Sequence, residues 1–183
     1  MTGLEAPLGF TDCGSPTARA SRDTAGSDRH AVTPVIDRFI IHHTGTTDDQ
    51  LDFFSRCNKR SSAPTFYLRH DGSVIELIRP GAKPSSSGAD WNWRSVAVET
   101  LNETGAPGYT VTEAQTEELA QMIAWLATFD GKDLDGVPVS FTIDREHVIS
   151  HRETCECPGP FLQARLNDIV NRAQQIFTEN LTA

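Results

Sequence analysis

Two histidines and one cysteine, far apart in the chain, carry the strongest chemical signal. His42 closes an apolar run (Val35, Ile36, Phe39, Ile40, Ile41), and His151 leads into a loop that delivers Cys157 six residues later. Two imidazoles and a thiolate form a three-donor set suited to Zn²⁺, with a fourth position left for water. Closed structural zinc sites use four protein ligands, so three donors point to a catalytic centre and hence to a hydrolase. His42 and His43 are adjacent, and on a strand their side chains leave opposite faces. One of the two can enter the site, and His42 is the expected ligand. His147 competes with His151 because both lie on one face of a strand. His151 is better placed, since it runs directly into the thiol-bearing loop.

Glu99 is the second chemical signal. It interrupts an apolar strand, Ser95-Val96-Ala97-Val98-Glu99-Thr100-Leu101, where a carboxylate costs desolvation energy unless something uses or pairs it. Beside an activated water it would serve as general base and then as acid to the leaving amine. The alternative is a strand-end carboxylate turned to solvent. Glu153 and Glu156 read as solvated loop residues. Trp91 and Trp93 flank the proposed site in sequence; exposed, they would contact a sugar or peptide, and buried, they would be core. The chain has no His-Glu-x-x-His helix, P-loop or Gly-x-Gly-x-x-Gly fingerprint. Ser61-Ser62 and Ser85-Ser86-Ser87 read as flexible loop residues.

The elements that must position these groups follow from pattern. With 183 residues, the chain is long enough for one well-filled core. Residues 1–33 are rich in Gly, Ser, Thr, Ala, Asp and Arg without periodicity, and read as a flexible tail or linker. The ordered domain, 34–183, opens with a strand over Val35–Ile41. Thr47-Asp48-Asp49-Gln50 has capping-box spacing ahead of a short helix with Leu51, Phe53, Phe54 and Cys57 on its apolar face. Thr65–His70 and Ser73–Ile78 read as a hairpin around a two-residue type I′ turn at Asp71-Gly72. Ser95–Leu101 is β-prone on both faces and belongs in the sheet centre. Thr112-Glu113-Ala114-Gln115 is another capping box, followed by Leu119, Met122, Ile123, Leu126 and Phe129 at helical spacing. Gly131–Pro138 breaks the chain, and Val148–His151 forms another strand. Leu162, Leu166, Ile169, Val170, Ala173 and Ile176 then mark a C-terminal helix. The layout is α/β, a single domain with a central mixed sheet covered by helices.

Composition excludes several partners. A formal charge of −9 repels nucleic acid and anionic membranes, and no apolar run is long enough to span a bilayer. The N-terminus has neither a basic nor an apolar signal region, so synthesis in the cytoplasm is expected. That lowers the disulfide reading of Cys13, Cys57, Cys155 and Cys157 and favours metal or thiol chemistry for Cys157. Cys13 and Cys57 read as a tail thiol and a small apolar filler on a helix.

Taken together, IIHHT, YLRHDGSVIELI, SVAVETLN with the capped helix after it, and SHRETCECPGP with its trailing helix resemble one family. It is the zinc-dependent N-acetylmuramoyl-L-alanine amidases of the phage-lysozyme type, in the superfamily that includes peptidoglycan recognition proteins. The wording of PTFYLRHDGSV, ELIRPG and WNWRSVAVETLN is most similar to amidase modules of endolysins from phages of mycobacteria and related actinobacteria. The resemblance implies hydrolysis of the amide between the lactyl group of N-acetylmuramic acid and L-alanine. Bacterial peptidoglycan is then the partner, met as a monomer once the protein is released to the cell wall. It also implies one Zn²⁺ on His42, His151 and Cys157, with Glu99 as the catalytic acid–base. Trp91, Trp93 and Tyr67 are the expected substrate contacts. Three departures stand out. Pro64-Thr65 occupies the place of a tyrosine or histidine, and Tyr67 is out of register with that position. Ser85-Ser86 stands where many members carry a histidine. The segment from His151 to Cys157 is about two residues shorter than usual, with Cys155 where members often carry Lys or Thr. The rival readings are a peptidoglycan-binding module that does not cut, and a cytoplasmic amidase that recycles soluble muropeptides.

Overall fold

A computed structural model of the chain describes residues 11–12, 35–55, 63–151 and 156–182. Readings that fall on Cys13, Cys57, Ser61, Ser62, Glu153 and Cys155 lie outside these residues. The main sheet has six strands, β1 (Thr11–Asp12), β2 (Arg38–His43), β3 (Phe66–Leu68), β4 (Val74–Glu76), β5 (Ser95–Thr100) and β8 (Val148–Ser150), in the order β1-β4-β3-β5-β2-β8. β3, β5, β2 and β8 run parallel to one another, while β4 turns back antiparallel on β3. A separate two-stranded ribbon joins β6 (Asp133–Leu134) and β7 (Val137–Pro138). The helices are α1 (Leu51–Ser55), α2 (Ala89–Asn92), α3 (Glu113–Ala127) and α4 (Gly159–Thr182). The expected α/β domain with a central mixed sheet is what the chain forms.

β5 lies between β3 and β2 and every one of its residues is buried, as its two-sided β-prone pattern requires. Alternation then divides the sheet into two faces. Phe39, Ile41, Val96, Val98, Phe66 and Leu68 join the main core with α3 and α4. Tyr67, Ile75 and Leu101 form a smaller cluster with Phe54 on the other face. α3 starts at Thr112, whose side chain accepts from the Gln115 N–H while the Gln115 side chain accepts from the Thr112 N–H. α4 buries Leu162, Leu166, Ile169, Val170, Ala173 and Ile176, the full expected stripe. Each buried Leu or Ile there contributes about 1.5–3 kcal/mol, which explains why so polar a helix stays docked.

Local details depart from expectation in five places. β2 begins at Arg38 and reaches His43, and Ile36 instead bridges to Val139. The β3–β4 connection has three loop residues: Gly72 N–H bonds to the Arg69 carbonyl, Arg69 N–H to the Ser73 carbonyl, and of the three only Gly72 has positive φ. The two-residue turn with two positive φ angles occurs at Asp135-Gly136, inside the stretch read as a simple break. α1 is capped by Asp49, whose Oδ1 accepts from the Leu51 N–H at 2.9 Å, and not by a Thr47 box. Thr11–Asp12, in the expected tail, pairs with β4 along the sheet edge.

Candidate metal centre

Three parallel strands end side by side and bring the chemistry together. His42 stands one residue from the end of β2, and His151 follows the last residue of β8 directly. Because Ile41 pairs with Ser150, the two histidines leave the sheet on the same side. Their ring centroids lie 4.3 Å apart. Cys157 enters from the start of α4, and its Sγ is 3.8 Å from His42 Nδ1. The nitrogen and sulfur donors of His42, His151 and Cys157 all fall within 4.8 Å of one another.

This donor set fits a tetrahedral zinc ion. Bond lengths of about 2.1 Å to nitrogen and 2.3 Å to sulfur place two such donors about 3.6 Å apart, close to the observed separation. The electrostatics agree. Burial, reinforced by His151 and His43, holds His42 well below the ordinary imidazole range, and burial also lowers His151. Both rings are therefore kept in the neutral form that a metal requires. The backbone N–H of His43 donates to Cys157 Sγ at 3.2 Å, a contact that favours charge on sulfur.

His43 itself turns away. Its ring meets Tyr109 edge-on at 4.8 Å, and a Cβ on Gly159 would lie 3.1 Å from the Tyr109 Cβ and 3.2 Å from His43 Cε1. Gly159 has φ of +85°, so the entry to α4 needs both the conformation and the small size of glycine. His147 is taken by Asp144, 2.7 Å from its Nδ1, and is not in the donor cluster.

Glu99 pairs with His42 across the β5–β2 ladder and with Tyr67 across the β5–β3 ladder. All three side chains therefore share one face of the sheet. Glu99 is 7% exposed, and no hydrogen bond or ion pair joins its carboxylate to any of the described residues. Burial pushes its pKa up to about 8. Desolvation, and no charge partner, is the cause of that rise, which makes Glu99 a candidate for chemistry at this site.

Two expectations need correction. Tyr67 has no exposed surface, and its hydroxyl accepts the Gln50 N–H at 2.9 Å, pinning the loop after β2. A side chain sealed in this way cannot reach a substrate in this conformation. Ser87, read as a flexible loop residue, is buried against the site with its Oγ 2.8 Å from His42 Nε2. Sequence reasoning missed it because a serine run carries no periodic signal. Trp91 and Trp93 are half-buried on either side of Asn92, and Lys83 Nζ sits 4.5 Å above the Trp93 ring. Glu156 is exposed, as expected.

A parallel-centred α/β sheet carries a His-His-Cys cluster at its strand ends that could hold a metal ion. The chain belongs to the N-acetylmuramoyl-L-alanine amidase family, which it matches over residues 32–160. No curated protein matches it. Its fold resembles solved structures of low identity. A mutant of PlyL aligns with a TM-score of 0.65 at 12% identity, covering 91% of this chain and 99% of that one. A selenomethionine derivative of AmpD gives 0.59 at 15%, covering 90% and 96%. The Staphylococcus aureus hydrolase AmiA, solved with its ligand, gives 0.59 at 14%, covering 96% and 87%.

Proposed function

We propose that this chain is a zinc-dependent amidase that cuts peptidoglycan between the lactyl group of N-acetylmuramic acid and L-alanine. The observation that carries the reading is the His42–His151–Cys157 donor cluster, with Glu99 buried on the same sheet face as His42. His42, His151 and Cys157 would hold the ion. When bound, Zn²⁺ supplies a Lewis acid for the scissile carbonyl and acidifies water near neutral pH.

Glu99 accepts the proton of the attacking water as its oxygen bonds to the carbonyl carbon. The same carboxyl then returns that proton to the departing nitrogen as the C–N bond breaks. The products are a lactyl carboxylate and a free L-alanine amino group. Burial, which raises the Glu99 pKa toward the working pH, suits both transfers. Trp91 on α2 and Trp93 just past its end offer aromatic faces to the glycan or stem peptide.

The biological setting follows from the resemblance of the PTFYLRHDGSV, ELIRPG and WNWRSVAVETLN segments. We read the chain as the catalytic module of an endolysin from a phage of mycobacteria or related actinobacteria, acting on the wall after release from the host cytoplasm. Among the described residues no helix is long and apolar enough to cross a membrane.

Mass spectrometry of purified muropeptides after digestion with zinc-loaded protein tests the reaction. New L-alanine amino termini paired with lactyl carboxylates are expected. Binding without cleavage, or cleavage of glycosidic bonds only, would overturn the reading.

A further inference from the structure

We propose that Ser87, braced by Asn92, is a positioning residue for His42. Its hydroxyl holds the imidazole as the Nε2–H tautomer and keeps the Nδ1 lone pair directed at the Cys157 sulfur. The inference rests on reading His42, His151 and Cys157 as a metal centre.

Ser87 is 2% exposed, although it lies in a run of three serines between a proline and a glycine. Such a segment is ordinarily solvated. Here the Ser85 N–H is tied to the Ala63 carbonyl at 2.9 Å, and the next two residues are turned inward by the Asn92 side chain. Asn92 Oδ1 accepts the N–H groups of Ser86 at 3.3 Å and Ser87 at 2.9 Å, and the Asn92 N–H returns to the Gly88 carbonyl at 3.0 Å. Gly88 makes the bend with φ of +86°, a conformation glycine adopts without steric cost. α2 buries none of its residues, so core packing does not account for it. Its visible contribution is to hold this loop against His42.

The chemistry of the contact has two forms. In one, Nε2–H donates to Ser87 Oγ, and the Ser87 hydroxyl proton turns toward Ser86 Oγ, 3.4 Å away. Nδ1 then faces Cys157 Sγ as a lone pair. In the other, Ser87 donates to Nε2, and Nδ1 carries a hydrogen that blocks a metal. Only the first prepares the site. A partner on the distal nitrogen is the usual way a histidine ligand is oriented, and a buried N–H left without one is costly.

Ser87→Ala should weaken Zn²⁺ affinity about 10- to 100-fold, the usual scale for such partners, measured by chelator competition. The melting temperature of the metal-free protein should stay near wild type. Imidazole ¹⁵N spectra of metal-free wild type should show His42 as Nε2–H, and Ser87→Ala should show a mixture of tautomers. Ser87→Thr, which keeps the hydroxyl, should restore both readouts. Asn92→Ala should reproduce the defect while Asn92→Asp, which keeps an acceptor, should not; this pair carries the test if Ser87→Ala fails to fold. His42 found as Nδ1–H in wild type, or undiminished zinc affinity in Ser87→Ala, overturns the proposal. Wild-type protein that binds no zinc would instead overturn the metal reading, and the tautomer spectra would still decide the role of Ser87.

Discussion

Glu99 lies directly across the ladder from His42, on adjacent parallel strands with both side chains on one face of the sheet. Neighbouring strands stand about 4.8 Å apart, so backbone hydrogen bonds fix the two residues as next-door neighbours in register, and the Ser87 contact then orients the imidazole itself. The backbone placement of the two residues is therefore as rigid as the sheet, which is what the proposed proton transfer beside a metal would need.

Losing the thiol should empty the site. Cys157→Ser should lower Zn²⁺ affinity by more than about 100-fold, because a ligand itself matters more than its supporting contacts. Chelation of the wild type should likewise abolish hydrolysis and lower the melting temperature, with both restored by added Zn²⁺. Metal content by mass spectrometry and thermal melts check this. Full activity after exhaustive chelation would refute it.

Glu99→Gln should retain zinc and fold, since the amide is nearly isosteric, while turnover falls about 10²- to 10⁴-fold. Steady-state hydrolysis of muropeptides reads the effect. Turnover within a few-fold of wild type would reduce Glu99 to a structural carboxylate.

The same residue makes the metal-free protein sensitive to pH. Its pKa is about 8 in the folded chain against an ordinary 4.5, so between these values the folded state keeps a proton that the unfolded state has released. Stability conferred by the protonated carboxyl is complete below pH 4.5 and declines toward pH 8, by roughly 1.4 kcal/mol per pH unit at most. Glu99→Gln removes that slope. Its melting temperature relative to wild type, both metal-free, should therefore rise from pH 5 to pH 8. A difference independent of pH would show that the carboxyl is not desolvated. Zinc should flatten the wild-type slope, because a nearby dication favours the ionised form.

Gln115 fastens α3 to the sheet. It is fully buried, donates to the Leu101 carbonyl at 2.8 Å and the Leu68 carbonyl at 3.3 Å, and accepts the Thr112 N–H. Gln115→Leu removes the side-chain partner of the Leu101 carbonyl and the Thr112 N–H, while the Leu68 carbonyl keeps the Leu101 N–H at 3.0 Å, and should cost about 1–3 kcal/mol, read by urea denaturation. An unchanged midpoint would mean that water replaces the amide.

Gly159→Ala should disturb the metal site without touching a ligand. The new Cβ would press on Tyr109 and His43 at 3.1–3.2 Å in a positive-φ conformation, displacing the start of α4 and Cys157 with it. The strained backbone alone costs about 1 kcal/mol or more. Reduced zinc affinity together with a lowered melting temperature is expected; a change in neither would contradict the close approach.

What could be read from the chain divides along physical lines. The α4 stripe and the Thr112–Gln115 box are local patterns governed by helical spacing, and both were legible. The convergence of His42, His151 and Cys157 was legible because histidine and cysteine are rare and chemically specific. Ser87 was not, since its contact with His42 spans 45 residues and its residue type is common in loops. Tyr67 was misjudged because its burial depends on lateral neighbours, Glu99 and Ile75, that alternation within one strand does not reveal. The two Asp-Gly turns show the same limit: identical dipeptides adopt a three-residue loop at Gly72 and a two-residue turn at Gly136, as the flanking strand register dictates.

The contact between His42 and Cys157 spans 115 residues of chain, and β2 receives its two neighbours from residues 95–100 and 148–150. Such distant pairings close late in folding, after local helices and hairpins have formed. β2 and β5 together supply the Glu99 carboxyl and one imidazole, while the second imidazole and the thiol come from beyond β8 and from the approach to α4. The three donors therefore exist as a set only where β2, β8 and the start of α4 are all docked, so the cluster reports the completeness of the tertiary fold and not of any local element.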